Sequence, residues 1–169
     1  MPSSLLGYSP VYDGENNIGT YFLNYKNETI DVTGGYFYEQ FASGLIFRGW
    51  EDRQLGINNS LRGIRVNFTP TEYLDITGIY GQQRNGFEVS VGAIQGINAK
   101  ADLSTAFKIE TADIKMGVSD VGRYQSSGDN PEIPSTVNAY GGNIDFVFGN
   151  FFGDIEAILK DPEDRKSVV

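Results

Sequence analysis

Several stretches of the chain alternate apolar and polar residues with a period of two. The clearest covers residues 64–69, where polar Arg65 and Asn67 separate apolar neighbours, and residues 30–38 and 114–119 repeat the pattern. This period is the mark of a β-strand whose two faces meet different surroundings. The aromatic and β-branched residues that are frequent in these stretches favour strands as well. The pattern therefore predicts an all-β fold.

The same pattern divides the chain into about eight strands, which we expect to form an antiparallel up-and-down meander. The predicted strands are residues 18–26, 30–38, 61–69, 73–82, 91–103, 112–121, 137–148 and 151–160. The predicted short connections are residues 27–29, 70–72, 104–111 and 149–150, and the long ones are 39–60, 83–90 and 122–136. Gly149-Asn150 predicts a two-residue hairpin turn, because such turns need positive φ. One helical turn is predicted within residues 99–108.

Strands of about nine to eleven residues, joined alternately by short turns and long loops, are typical of an outer-membrane β-barrel. In hydrocarbon only a closed sheet pairs every backbone amide, so one face would meet lipid and the other a lumen. The residues predicted to line the lumen are Asp31, Arg65, Asp75, Lys115, Asp154 and Glu156, and the candidates for aromatic girdles are Tyr21, Tyr25, Tyr36, Tyr38, Tyr73, Tyr80 and Tyr140. A soluble sandwich or small barrel that binds a sugar or another small ligand shows the same alternation and stays open as the alternative.

Composition excludes several classes of chemistry and says less about the fold. The chain has 169 residues, which favours one domain, and it contains no cysteine and no histidine. Disulfides, thiol nucleophiles, Ser-His-Asp triads and histidine metal sites are therefore excluded. The net charge of −9 argues against a nucleic-acid partner. We expect no enzymatic activity, no cofactor and no metal.

The two ends look unlike the strands. Residues 1–17 and 161–169 are predicted to be loop-like, and the first six residues lack the basic and apolar regions of a secretory signal peptide. We expect residues 1–169 to form a single domain that is either a whole barrel or one arc of a larger one.

A family resemblance supports the membrane interpretation. Residues 35–48, 51–59 and 63–66, together with 5–10 and 81–84, resemble a family of uncharacterised outer-membrane β-barrel proteins of the Bacteroidota type. The resemblance implies an outer-membrane location, contact with outer-membrane lipid, and other envelope proteins as candidate partners. It implies no chemistry and no ligand. Members of that family are longer and carry a signal peptide, so it also implies that this chain is a fragment.

Residues 39–60 break the alternation and concentrate opposite charges. Closely packed charges are costly to bury unless they pair, so we consider a loop that folds into the lumen. Its expected ion pairs join Arg48 or Arg53 with Glu39 or Glu51. The alternative is an ordinary surface loop with solvated charges.

Asp154 and Glu156 are the carboxylate pair that best fits general acid-base catalysis. They lie on one face of a predicted strand, which places them about 6–7 Å apart. A glycosidase needs a similar spacing, but two carboxylates at this spacing are not specific to catalysis. We expect them to line the lumen and assign no catalytic residue.

Overall fold

The computed structural model describes residues 20–52, 54–55, 57–85, 88–125 and 136–161. Its strands are β1 (Phe22–Lys26), β2 (Ile30–Phe37), β3 (Gln40–Phe41), β4 (Phe47–Arg48), β5 (Glu51–Asp52), β6 (Ile57–Asn58), β7 (Leu61–Thr71), β8 (Leu74–Asn85), β9 (Glu88–Asp102), β10 (Ala112–Tyr124), β11 (Thr136–Phe148) and β12 (Phe151–Lys160). One helix, α1 (Leu103–Phe107), connects β9 to β10.

Eight of these strands form one antiparallel sheet in the order β1-β2-β7-β8-β9-β10-β11-β12. Apart from residues 38–60, each strand is followed in the chain by its neighbour in the sheet, which confirms the predicted meander. The strands β1 and β12 are the two edges, and the sheet is not closed into a barrel. Each of the eight predicted strands coincides with one strand of this sheet.

The predicted long connection at residues 83–90 is wrong. The strand β8 continues to Asn85 and β9 resumes at Glu88, with Arg84 paired to Val89 beyond a register shift. The polar run Gln82-Gln83-Arg84-Asn85 looks like a loop in the sequence. In the structure the side chain of Arg84 is only 6% exposed, and its guanidinium lies 5.4 Å from the ring of Tyr36. A long-range contact therefore keeps this polar run within a strand.

The predicted turn and the predicted helical turn are both present. Gly149 has φ +58°, as a tight turn between Phe148 and Phe151 requires. In α1 the side chain of Asp102 caps the helix by accepting a hydrogen bond from the backbone N–H of Thr105 at 2.9 Å. The helix ends at Lys108, which adopts the left-handed conformation with φ 55°.

The sheet has two faces of opposite character. We call the inner face the side that carries Asp31, Thr33, Arg65, Asn67, Asp75, Thr77, Ile79, Gly96, Asn98, Lys115, Ser119, Val121, Gly141, Asn143, Asp145, Asp154 and Glu156. The outer face carries Leu23, Tyr25, Ile64, Val66, Phe68, Ile76, Tyr80, Val91, Ile97, Met116, Val118, Tyr140, Ile144, Phe146, Phe148, Phe151, Ile155 and Leu159. The polar residues that interrupt this apolar outer face are Arg62, Gln82, Gln95, Asp120, Thr136 and Asn138. The six residues predicted to line a lumen thus all lie on the inner face.

The buried core lies on the inner side of the sheet. Its members are Phe37, Phe41, Leu61, Ile79, Ile94 and Val121, and Ile46 and Phe47 pack against it. Phe41, Ile46 and Phe47 come from the segment that connects β2 to β7. That segment therefore supplies one side of the core, and the sheet supplies the other.

Candidate functional site

The described residues between β2 and β7, namely 38–52, 54–55 and 57–60, fold back onto the inner face as two small hairpins. In the first hairpin, which we define as residues 39–49, β3 pairs with β4, and in the second, β5 pairs with β6. The first hairpin turns tightly because Ala42 and Gly44 adopt positive φ and the N–H of Gly44 donates to the carbonyl of Phe41 at 2.9 Å. A further bond from the N–H of Gly49 to the carbonyl of Glu39, at 2.8 Å, closes its base.

Two glycines of the sheet make room for apolar side chains of the first hairpin. Phe41 is 0% exposed, and a Cβ at Gly96 on β9 would lie 3.0 Å from its Cε2. Likewise, a Cβ at Gly141 on β11 would lie 3.7 Å from the Cβ of Ile46. Larger residues at these two positions would occupy space that the hairpin fills. The glycines therefore form a seat for the hairpin.

Polar contacts attach the hairpin to strands on both sides of this seat. The Nε of Arg65 on β7 lies 2.6 Å from a carboxylate oxygen of Glu39, and its Nη1 lies 3.7 Å from Asp31. At the tip, the hydroxyl of Ser43 donates to the carboxylate of Glu156 on β12, and the Ser43 N–H lies 3.3 Å from the same oxygen. Since one short hairpin contacts strands from β7 to β12, the sheet curves around it.

Three of the four charged residues expected to pair within residues 39–60 lie in the part of the chain that the structure describes. Glu39 pairs with Arg65 and not with Arg48, whose guanidinium lies 5.3 Å from the ring of Trp50. The carboxylate of Glu51 accepts a hydrogen bond from the side-chain amide of Asn58 at 3.4 Å. Arg53 lies outside the described residues. The partner of Glu39 thus comes from the sheet, where strict alternation of residues 64–69 already places Arg65 on the polar face.

The side chain of Tyr38 contacts the second hairpin. Its hydroxyl accepts a hydrogen bond from the amide of Asn58 at 2.8 Å. Burial raises the pKa of Tyr38, and the nearby carboxylate of Glu51 raises it further, while Asn58 and Arg84 act in the opposite direction. Tyr38 is therefore held as a neutral phenol over a wider pH range than a free tyrosine.

An open cavity of about 670 Å³ lies between the tip of the first hairpin and the end of the sheet that carries the short connections. Its charged lining residues are Glu72, Asp75, Lys100, Asp102, Lys115, Asp145, Asp154 and Glu156. Asp154 and Glu156 thus both face this cavity, where carboxylates outnumber lysines and the local field favours cations. Within the described ranges, no group of three or more acidic side chains is arranged to hold a metal ion.

Comparison with known proteins gives a family and no chemistry. The sequence profile of a family of unknown function, DUF6029, matches residues 1–168. The chain belongs to this family. No curated protein and no solved structure matches it significantly. The expected membership of a family of unknown function is confirmed, while the outer-membrane location and the Bacteroidota type stay predictions.

The DUF6029 chain has little helix in its described part. No helix there is both long enough and apolar enough to span a membrane.

Proposed function

We propose that this DUF6029 chain forms part of the wall of an outer-membrane β-barrel, with its outer face against lipid and its inner face toward a lumen. In this role it acts as a pore wall or as a scaffold for surface loops, and it has no enzymatic activity. The observation that carries the proposal is the exposed apolar outer face. Ile64, Ile97 and Val118 are 45%, 52% and 59% exposed, although each is paired with strands on both sides within the sheet.

The inner face strengthens this argument because several of its polar side chains bond to one another across neighbouring strands. The side-chain amide of Asn67 donates to Asp75 at 2.9 Å, and the hydroxyl of Ser119 donates to the buried Asn98 at 2.9 Å. In a soluble protein, a sheet with one solvated face normally packs its apolar face against the core and exposes its polar face to water. Here the polarity is reversed, as in a strand that separates lipid from a polar lumen.

Exposed aromatic residues flank the short connections of the sheet. Tyr25 precedes residues 27–29, Tyr73 lies between β7 and β8, and Phe148 and Phe151 bracket the last turn. Aromatic side chains are enriched where a barrel wall meets the lipid headgroups. Their position at one end of the sheet supports an interface at that end.

Substitution in the middle of the outer face tests this proposal. Val118 lies at the centre of β10 and is 59% exposed, while Leu55 is 69% exposed but belongs to the second hairpin. In lipid, Val118→Arg should cost about 2–4 kcal/mol, as expected near the bilayer midplane, and Leu55→Arg should cost little. The readout is folding into lipid vesicles, followed by circular dichroism and urea titration.

The unmodified chain provides the decisive comparison. A strand spectrum should appear when the chain is placed in detergent micelles or vesicles and should be missing in plain buffer. A cooperative strand transition in plain buffer, with Val118→Arg unaffected, would overturn the wall proposal. That outcome would favour the soluble ligand-binding module.

A further inference from the structure

We propose that the first hairpin, residues 39–49, is a gate that closes the lumen and opens by leaving its seat on the inner face. This inference rests on the proposed function, because a gate needs a passage to close. It concerns regulation of passage and not the location of the wall. Three features of the hairpin support a gate: the apolar seat that it occupies, the contacts that attach it to the sheet, and its position across the inner face.

The seat is a local exception to the polar inner face. Where Phe41 lies, the sheet presents Ile79, Val121 and the bare backbone of Gly96, whereas the next row toward the short connections presents Thr77, Asn98 and Ser119. An apolar socket on a surface facing water is costly when it is empty. The socket is therefore shaped for an apolar occupant, and the hairpin supplies it.

The contacts that attach the hairpin to the wall allow it to separate from the sheet. Among the described residues, β3 pairs only with β4, and the backbone–backbone hydrogen bonds of residues 39–49 stay within the hairpin. Each of its links to the sheet involves a side chain. Phe41 and Ile46 lie in their seats, and Phe47 packs against the core. Glu39 pairs with Arg65, and the N–H and hydroxyl of Ser43 bond the Glu156 carboxylate. Lifting the hairpin breaks these contacts and leaves every ladder of the eight-stranded sheet intact.

The first hairpin lies across the inner face. Its base is held by Arg65 on β7, and its tip is held by Glu156 on β12, so it spans most of the width of the sheet. Toward the short connections, the space beyond its tip is the cavity described above. A solute that moves along the inner face from the long connections must pass the hairpin before it reaches that cavity.

A reversible crosslink between hairpin and wall tests the gate. The Cβ of Ile46 lies 3.7 Å from the Cβ that a side chain at position 141 would have, which matches the Cβ separation of about 3.8 Å in disulfides. The natural chain contains no cysteine, so in the double variant Ile46→Cys, Gly141→Cys only the introduced pair reacts. After insertion of the full chain into planar bilayers, we expect oxidation to abolish conductance and reductant to restore it. The two single-cysteine variants should respond to neither.

A second variant should open the gate without any crosslink or redox reagent. Gly96→Leu fills the seat of Phe41 and should raise conductance several-fold over the natural chain. Gly78→Leu is the matched control, since Gly78 lies on the outer face of β8 with no atom within 4 Å of its Cβ position. It should leave conductance unchanged.

The outcomes separate the gate from the wall. A chain that fails to insert into lipid overturns the wall proposal, and the gate with it. A chain that inserts and folds, yet shows the same conductance when oxidised, when reduced and with Gly96→Leu, overturns the gate alone. An inserted chain that never conducts in any of these states also overturns the gate, because removing the hairpin then opens nothing.

Discussion

Phe41 and Gly96 fit together as a knob and a hole, with Cε2 of the ring 3.0 Å from the Cβ position of the glycine. The two residues belong to different layers, since Phe41 lies in the first hairpin and Gly96 lies in the wall. Their contact joins the only fully buried aromatic ring of the described residues to a glycine of β9 that leaves space for it. The stability of the inner side should therefore depend strongly on Phe41.

Truncation of this side chain measures that dependence. Phe41→Ala should lower the free energy of unfolding by about 3–5 kcal/mol, because it removes a buried ring and leaves a cavity. Leu55→Ala, at an exposed position of the neighbouring hairpin, should change it by less than about 0.5 kcal/mol. Urea unfolding in detergent micelles compares the two variants. A loss for Phe41→Ala no larger than that of the control would contradict the packing described above.

The ion pair of Glu39 and Arg65 should contribute more than a surface pair. Both side chains are largely shielded from solvent, at 19% and 23% exposure, whereas those of Asp113 and Lys115 are about half exposed. A double-mutant cycle with alanine should give a coupling energy of about 1 kcal/mol or more for the first pair. It should give about 0.5 kcal/mol or less for the second. Equal coupling energies for the two pairs would show that Glu39 is not held against the wall.

Close approach of two strands makes Gly63 irreplaceable. A Cβ at this position would lie 2.0 Å from the carbonyl oxygen of Tyr80 on the neighbouring strand β8. This neighbour is backbone that is fixed in the ladder, so Gly63→Ala should separate β7 from β8 and abolish the folded fraction. Gly78→Ala, at an open position of β8, should fold as well as the natural chain or better, since glycine weakens a strand. The proportion of folded chain after transfer into micelles gives the answer, and efficient folding of Gly63→Ala would refute the predicted clash.

The raised pKa of Tyr38 predicts a loss of stability in alkali. The neutral phenol is favoured in the folded state, so this stabilisation is complete below the ordinary tyrosine value of 10.0. It is lost as the pH rises through the higher pKa of the folded chain. Tyr38→Phe should remove from an absorbance titration one phenol that ionises above the ordinary tyrosine range, and Glu51→Gln should shift the ionisation of Tyr38 to lower pH. An unchanged titration in both variants would show that burial and Glu51 do not act on Tyr38.

The strands could be predicted from the sequence because their signal is local. Alternation such as that of residues 64–69 reports the two faces of a strand directly, and it also placed Arg65 and Asp75 on the polar side. The continuation of β8 to Asn85 could not be predicted in this way. It depends on the contact of Arg84 with Tyr36, which joins residues far apart in the sequence.

The hairpin illustrates the same limit at the candidate site. The clustered charges of residues 39–60 suggested a segment that turns inward, and the structure places that segment on the inner face. The residues that seat it are Phe41 and Ile46, which carry no charge and belong to the stretch 35–48 that carries the family resemblance, without any packing role predicted for them. Gly96 and Gly141 look like ordinary strand glycines until the opposing side chains are known. Packing partners of this kind depend on the tertiary fold and leave no periodic signal.

The hairpin also constrains the circumference of any barrel that encloses it. Eight strands about 4.8 Å apart and tilted by about 40° close into a ring roughly 16 Å across, which their own inward side chains fill. The inner face described above accommodates the main chain of residues 39–49 in addition to its side chains. A ring that surrounds this hairpin on every side therefore needs more strands than the eight of this sheet. The added strands would join it at β1 and β12, which are the edges of the sheet in the part of the chain that the structure describes.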